Sequence, residues 1–338
     1  MYFRVRKIRC ADKGQARARA IGEISGLVIG VDGGGTKTAA RIASVADDGR
    51  IHVLGAGYGG PSNVRTVGSV HAKTNLDVAI DAAHEAAGTR DFEVGYAVLA
   101  LAGSALPDVQ ADIADWATRR GLAAKVDIVH DAEPILVIAA RRGRGVGLIV
   151  GTGSVAIGRD ADGRQAVIGG WGHWFGDQGS GFDLGRRALA AVADAVDGIG
   201  GETSLTEELA ARVQVAHPRE IARKLSLAVD ARREIAALAP IVVEAARNGD
   251  DVAKRIVDGA AAATADLVVA TIGKLALGND APLGLAGGVV CSGDFYRGRL
   301  LARLESLGVR PDPVTVVAQP VEGSLVMARD RLRAGTAS

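Results

Sequence analysis

Val28-Ile29-Gly30-Val31-Asp32-Gly33-Gly34-Gly35-Thr36-Lys37-Thr38 is the stretch on which the reading of this chain turns. An apolar run ends in an acid, three glycines, two hydroxyl residues and a lysine. Glycines tolerate the backbone angles of a tight turn, and such a turn can aim its N–H groups at one point where phosphates could sit. Asp32 would then hold Mg²⁺, usually through water. The spacing is neither G-x-x-x-x-G-K-[ST] nor G-x-G-x-x-G, so neither a P-loop nor a dinucleotide fingerprint is present. On these residues alone, an ordinary glycine-rich hairpin fits equally well.

Two later segments bear on that choice. Gly147-Leu148-Ile149-Val150-Gly151-Thr152-Gly153-Ser154 is a second apolar strand running into alternating glycine and hydroxyl residues. Leu283-Gly284-Leu285-Ala286-Gly287-Gly288 is a third, closed by paired glycines that let a ligand approach the backbone. Three such turns, each after a strand, suggest loops converging on one extended ligand such as a nucleoside triphosphate.

Composition narrows the class. With 338 residues, 48% hydrophobic, the chain is long enough for two domains with buried sheets. Forty basic and 39 acidic residues leave a net charge of +1, which disfavours nucleic acid and anionic membranes as partners. No apolar run approaches the roughly 20 residues of a bilayer span and no signal-peptide pattern is visible, so a cytoplasmic protein is expected. Cys10 and Cys291 form no C-x-x-C pair, and the six histidines show no metal-ligand spacing.

Periodicity organises the rest. Residues 1–25 are basic, interrupted by Asp12 and Glu23, and read as a disordered extension. Strands are expected near Leu27–Val31, Arg41–Ser44, Val94–Leu101 and Val126–Val129, with helices over Val70–Ala87 and Asp108–Arg120 and a loop over Gly55–Pro61. Gly147–Val150 opens a second sheet, with an Asp162-Gly163 hairpin before Ile168. Helical patterns cover Gly181–Val196, Leu205–Val215 and most of Arg232–Leu277. A strand at Leu283, a helix after Gly293, a strand at Val314–Val317 and a helix over Val321–Leu332 complete the chain.

Two stretches carry candidate chemistry. Asp131 ends the strand before the Ala132–Ala140 helix, where an aspartate either caps the helix or serves as a general base. Between Gly169 and Ser180, Trp171, Trp174 and Phe175 alternate with glycines in a chain that is only 4% aromatic. They form either an aromatic plug or a platform for the apolar face of a sugar ring.

Taken in order, GVDGGGTKT, PSNV at Pro61–Val64, HDAEP at His130–Pro134, GTGS at Gly151–Ser154, GGWGHWFGDQGSG at Gly169–Gly181 and AGG at Ala286–Gly288 resemble the N-acetylglucosamine kinase and BadF/BadG/BcrA/BcrD ATPase family. The resemblance spans about Leu27 to Leu332. It implies an α/β, two-lobed actin-like ATPase (ribonuclease H-like) fold with duplicated mixed sheets flanked by helices. The first lobe would take residues 26–130, rejoined by a helix over about 320–334, and the second 131–319, so the lobes could hinge. It implies ATP and Mg²⁺ as cofactors, an amino sugar as substrate and a homodimer as the assembly.

By the same resemblance, Asp131 takes the proton from the sugar 6-hydroxyl and Asp32 holds the metal. Gly33, Gly34, Gly35, Thr36, Lys37, Gly151, Thr152, Gly153 and Ser154 grip phosphate, while Gly287 and Gly288 make room for adenosine. Asn63, Thr152, Gly170, Trp171 and Asp177 line the sugar pocket. Gln178 stands where the family more often has Glu, which bears on the choice among N-acetylglucosamine, glucosamine and glucose. A sugar sensor on the kinase fold is an alternative. The activator ATPases of the same branch are disfavoured, because their bridging iron–sulfur cluster needs two cysteines per subunit.

Overall fold

The computed structural model describes residues 26–140 and 143–336. The expected extension over residues 1–25, with Cys10, lies outside them. The chain divides into two compact units. One holds the described residues up to Asp131 together with those from Ser324 onward, and the other is Ala132–Gly323.

The first unit is built on a five-stranded sheet of order β3-β2-β1-β4-β5. β1 (Gly26–Gly33), β2 (Thr38–Val45) and β3 (Ile51–Gly59) form an antiparallel meander, and β4 (Tyr96–Leu101) and β5 (Lys125–His130) extend it in parallel with β1. The unbroken apolar run of β1 suits a central strand, which is covered on both faces. Ile29, Val31, Leu99 and Leu101 pack with Leu76, Ile80 and Ile113 from the helices Val64–Ala87 and Pro107–Arg120. The first of these helices starts six residues before the expected Val70, because Asn63 caps a turn that ends in a kink at Gly68.

The expected loop over Gly55–Pro61 is largely strand. Gly55, Gly57 and Gly59 alternate along β3 and so share one face, and that face meets the helix Val64–Ala87. A Cβ on Gly55, Gly57 or Gly59 would stand 2.3, 2.1 or 2.2 Å from the carbonyl oxygens of Ala83, Ala79 and Asn75. The glycines therefore let backbone pack on backbone. Gly57→Ala forces an overpacked contact that costs about 1–3 kcal/mol. A thermal midpoint several degrees below wild type is expected, whereas Ala56→Val on the exposed face should leave it nearly unchanged; equal midpoints for the two variants would refute the packing argument.

The second unit repeats the plan, with sheet order β10-β9-β6-β7-β8. β6 (Gly145–Val150), β7 (Ser154–Arg159) and β8 (Gln165–Gly169) form the meander, and β9 (Leu283–Ala286) and β10 (Val314–Val316) add in parallel with β6. Helices Glu133–Ala139, Gly181–Val196, Leu205–Val213, Glu220–Ser226, Ala231–Ala236, Ala239–Arg247, Asp251–Leu275, Gly288–Cys291 and Asp294–Ser306 surround this sheet. The helical patterns expected over most of 232–277 are three helices, the second with Pro240 in its first turn and the third capped by Asp250. Glu220–Ser226 was not foreseen.

Contrary to the expectation of no span-length apolar run, Asp251–Leu275 is long and apolar enough to cross a membrane by length and composition. Half of its apolar window is buried in this fold, where Val257, Ala261, Val268 and Ile272 join the core, and Arg255, Asp258 and Asp266 lie on the exposed side. The last helix, Val321–Thr336, belongs to the first unit from Ser324, whose Oγ donates to Val31 O at 3.0 Å.

Candidate active site

In the first unit the parallel strands bring three chain segments to one edge. The register pairs Gly33 with Leu101 and Leu101 with His130, so Asp32 and Asp131 sit at the carboxyl ends of β1 and β5 with β4 between them. At about 4.8 Å per strand, the two backbones are roughly 10 Å apart. Ligands of open α/β sheets gather at this edge.

The Gly33–Lys37 turn is tightly held. Gly34 N–H donates to Lys37 O at 3.0 Å, and Gly34 O accepts the N–H groups of Ser62 and Asn63 at 3.1 and 3.2 Å. Asn63 is therefore tied to the glycine turn through its backbone, while its side-chain oxygen accepts Arg65 N–H. Gly33 is buried beneath Ser62 and Leu101, nothing lies within 4 Å of a Cβ built on Gly35, and Thr36 and Lys37 are exposed.

Asp32 lies in an unfavourable place for a charge. Burial, and after it the nearby Asp131 carboxylate, push it up to about 7 against the pull of Lys37. Asp131 pairs with His130, Nδ1 to Oδ1 at 2.9 Å. The position capping helix Glu133–Ala139 is Ala132, which makes no side-chain cap bond. Helix capping therefore does not explain the carboxylate of Asp131.

Among the described residues no group of three or more His, Cys, Asp or Glu could hold a metal alone. Mg²⁺ does not need one, because it keeps several waters and binds through one or two carboxylates plus substrate phosphates. A half-buried carboxylate destabilised by a second one fits that pattern, since a cation there offsets both burial and repulsion.

In the second unit the Gly151–Ser154 turn is closed by Gly151 N–H donating to Gly153 O at 2.9 Å. Gly181 and Phe182 N–H donate to Gly151 O and Thr152 O, joining the turn to the start of helix Gly181–Val196. Gly170 N–H donates to Ser154 O, and Ser154 Oγ to Gln178 O. The space beside Gly287 is taken by the chain itself, for a Cβ there would lie 2.4 Å from Val150 O, and φ is +99°. Gly288 faces open space.

The aromatic stretch is not a plug. Trp171, Trp174 and Phe175 are 74, 82 and 83% exposed. Asp177 is the opposite, 4% exposed, with Oδ1 accepting Ser154 N–H at 3.1 Å and Oδ2 2.9 Å from Arg232 Nη2. The carboxylate expected to meet sugar hydroxyls is already committed to the chain's own turn.

The profile of the BadF/BadG/BcrA/BcrD ATPase family matches residues 29–319. The chain belongs to that family. A family relative in Clostridium acetobutylicum, named N-acetylmuramic acid/N-acetylglucosamine kinase, is 32% identical over 264 residues, 78% of this chain and 85% of the relative. The N-acetyl-D-glucosamine kinase of Dictyostelium discoideum is 30% identical over 294 residues, 83% of this chain and 89% of that one. A solved structure from Chromobacterium violaceum, provisionally named an N-acetylglucosamine kinase, superposes with a TM-score of 0.68 at 25% identity over 90% of this chain and 99% of that one. The fold extends to a ROK family glucokinase from Streptomyces griseus, with a TM-score of 0.56 at 22% identity.

Arg232 escaped the sequence reading of this family member. Its partner is 55 positions away, and no local pattern distinguishes it from the neighbouring Arg233.

Proposed function

We propose that this chain is an ATP-dependent kinase that phosphorylates the 6-hydroxyl of an amino sugar, N-acetylglucosamine before glucosamine or glucose. The observation that carries the reading is the placement of Asp32 and Asp131 at the carboxyl ends of parallel strands, near enough for the Asp131 charge to act on Asp32. Phosphoryl transfer to an alcohol asks for charge neutralisation at the phosphates and a carboxylate to accept the hydroxyl proton. Asp131 is assigned the proton, with His130 beside it, and Asp32 the metal, which when bound neutralises phosphate charge.

The remaining assignments follow the turns. Gly33–Lys37 and Gly151–Ser154 bind phosphate, Gly288 rather than Gly287 leaves room for the nucleoside, and Trp171 offers its exposed ring to a pyranose. Asn63, Gly170 and Thr152 are assigned to the sugar. Asp177 serves it only with acceptor capacity beyond its bonds to Ser154 and Arg232. ATP as donor fits a cytoplasmic location, and a homodimer is the proposed assembly.

The test is ADP formation with ATP and Mg²⁺ across a panel of N-acetylglucosamine, N-acetylmuramic acid, glucosamine and glucose. A correct acceptor should raise the rate about 10²-fold or more over the sugar-free rate, because water is a poorly positioned competitor. Sugar-independent hydrolysis, with no phosphorylated sugar in the mass spectrum of any reaction, would defeat the kinase reading.

A further inference from the structure

Asp177 has φ +61°, a backbone conformation that residues with side chains adopt rarely and at a cost. It stands between the exposed aromatic stretch and the Gly151–Ser154 turn, and its Oδ1 accepts the N–H of Ser154. Its other oxygen is held by Arg232.

The placement of Arg232 is itself specified. The helix Ala231–Ala236 is capped by Asp230, whose side chain accepts Arg233 N–H at 3.0 Å. That short helix packs on Gly181–Val196 at Gly185, where a Cβ would stand 2.1 Å from Ile235 O. A glycine seat thus brings Arg232 close enough to reach Asp177.

Stability alone does not account for the pair. Arg232 Nε is buried with no hydrogen-bond partner among the described residues. A buried ion pair with an unmet donor is a poor stabiliser, and an apolar pair of similar volume commonly does as well or better. What the ion pair does, and an apolar pair would not, is hold the Asp177 carboxylate aimed at Ser154 N–H.

We propose that Arg232 is a positioning residue for the Gly151–Ser154 turn, acting through Asp177. Only the assignment of that turn to phosphate rests on the kinase reading. With Arg232 removed, the carboxylate loses its charge partner and turns away from Ser154. The turn then loses the Asp177 oxygen that accepts the Ser154 N–H.

The experiment is direct titration of a fluorescent ADP analogue, with Mg²⁺ and without sugar, into the full-length protein and its variants. Arg232→Met is expected to raise the dissociation constant tenfold or more, as is Asp177→Asn. Arg232→Lys, which keeps the charge, should recover at least half of that loss on a logarithmic scale. The double variant should be no weaker than the weaker single variant, because both act on one link. Should Arg232→Met fail to fold, Arg232→Gln takes its place under the same criterion.

A folded variant that binds the analogue within twofold of wild type, with only its thermal midpoint lowered, would show a purely structural role and overturn the proposal. So would losses that multiply in the double variant. Wild-type protein that binds no ADP analogue overturns the phosphate assignment and this proposal together. Wild-type protein that binds ADP but phosphorylates no sugar overturns only the kinase reading.

Discussion

Asp131→Asn is expected to lower kcat by about 10²–10⁴-fold, the usual size of a general-base loss, while leaving ADP affinity within about twofold. The substitution keeps the volume and removes the acceptor of the sugar proton. In the variant the hydroxyl must attack without a base, so the loss falls on the transition state rather than on ground-state binding. His130 Nδ1 lies 2.9 Å from Asp131 Oδ1 and is left in place by the substitution. Steady-state kinetics with the best sugar of the panel checks this, with the nucleotide affinity measured separately. Activity retained within threefold would return Asp131 to an ordinary strand-end residue.

Much of this was legible in the sequence where local chemistry and tertiary role coincide. The apolar run ending in Asp32 and three glycines reads as a strand and a turn, and the structure has both. Helix Gly181–Val196 has the bounds its helical pattern suggests, and the structure adds Ser180 as its cap. The failures lie where the two diverge. Gly55, Gly57 and Gly59 read as loop residues by composition, yet their period of two marks a strand face pressed against a helix. The signal was the alternation, and it was outweighed by the count of glycines.

The candidate site shows the same division. Trp171, Trp174 and Phe175 were equally consistent with a plug, and only the structure exposes them. Asp177 reads as a free carboxylate in a glycine-rich stretch, but both its oxygens are engaged by groups that periodicity cannot place, one of them in a short helix 55 residues on. Long-range polar pairs leave no trace in spacing, since neither partner repeats.

Asp32→Asn is expected to make the ligand-free protein more stable than wild type at pH 8, by an amount that vanishes near pH 4. The folded protein holds the Asp32 proton up to about pH 7, whereas the unfolded chain releases it near the ordinary 3.8. Between those values the folded state binds more protons, so wild-type stability falls as pH rises through the window and is fully present below it. At about 1.36 kcal/mol per pH unit the loss is of order 2–4 kcal/mol, the lower end allowing for solvent relaxation about the charge. Asparagine has no proton to lose, so the variant lacks this slope. Mg²⁺ with ADP at pH 8 should restore stability to the wild type, because a bound cation favours the ionised carboxylate. The same addition should stabilise the variant less, through the nucleotide's other contacts alone. Thermal midpoints of both proteins from pH 4 to 8, with and without Mg²⁺ and ADP, decide the matter. Parallel curves for the two would mean that Asp32 carries neither the burial cost nor the metal role, and that the acid at the end of the first strand is only part of the turn.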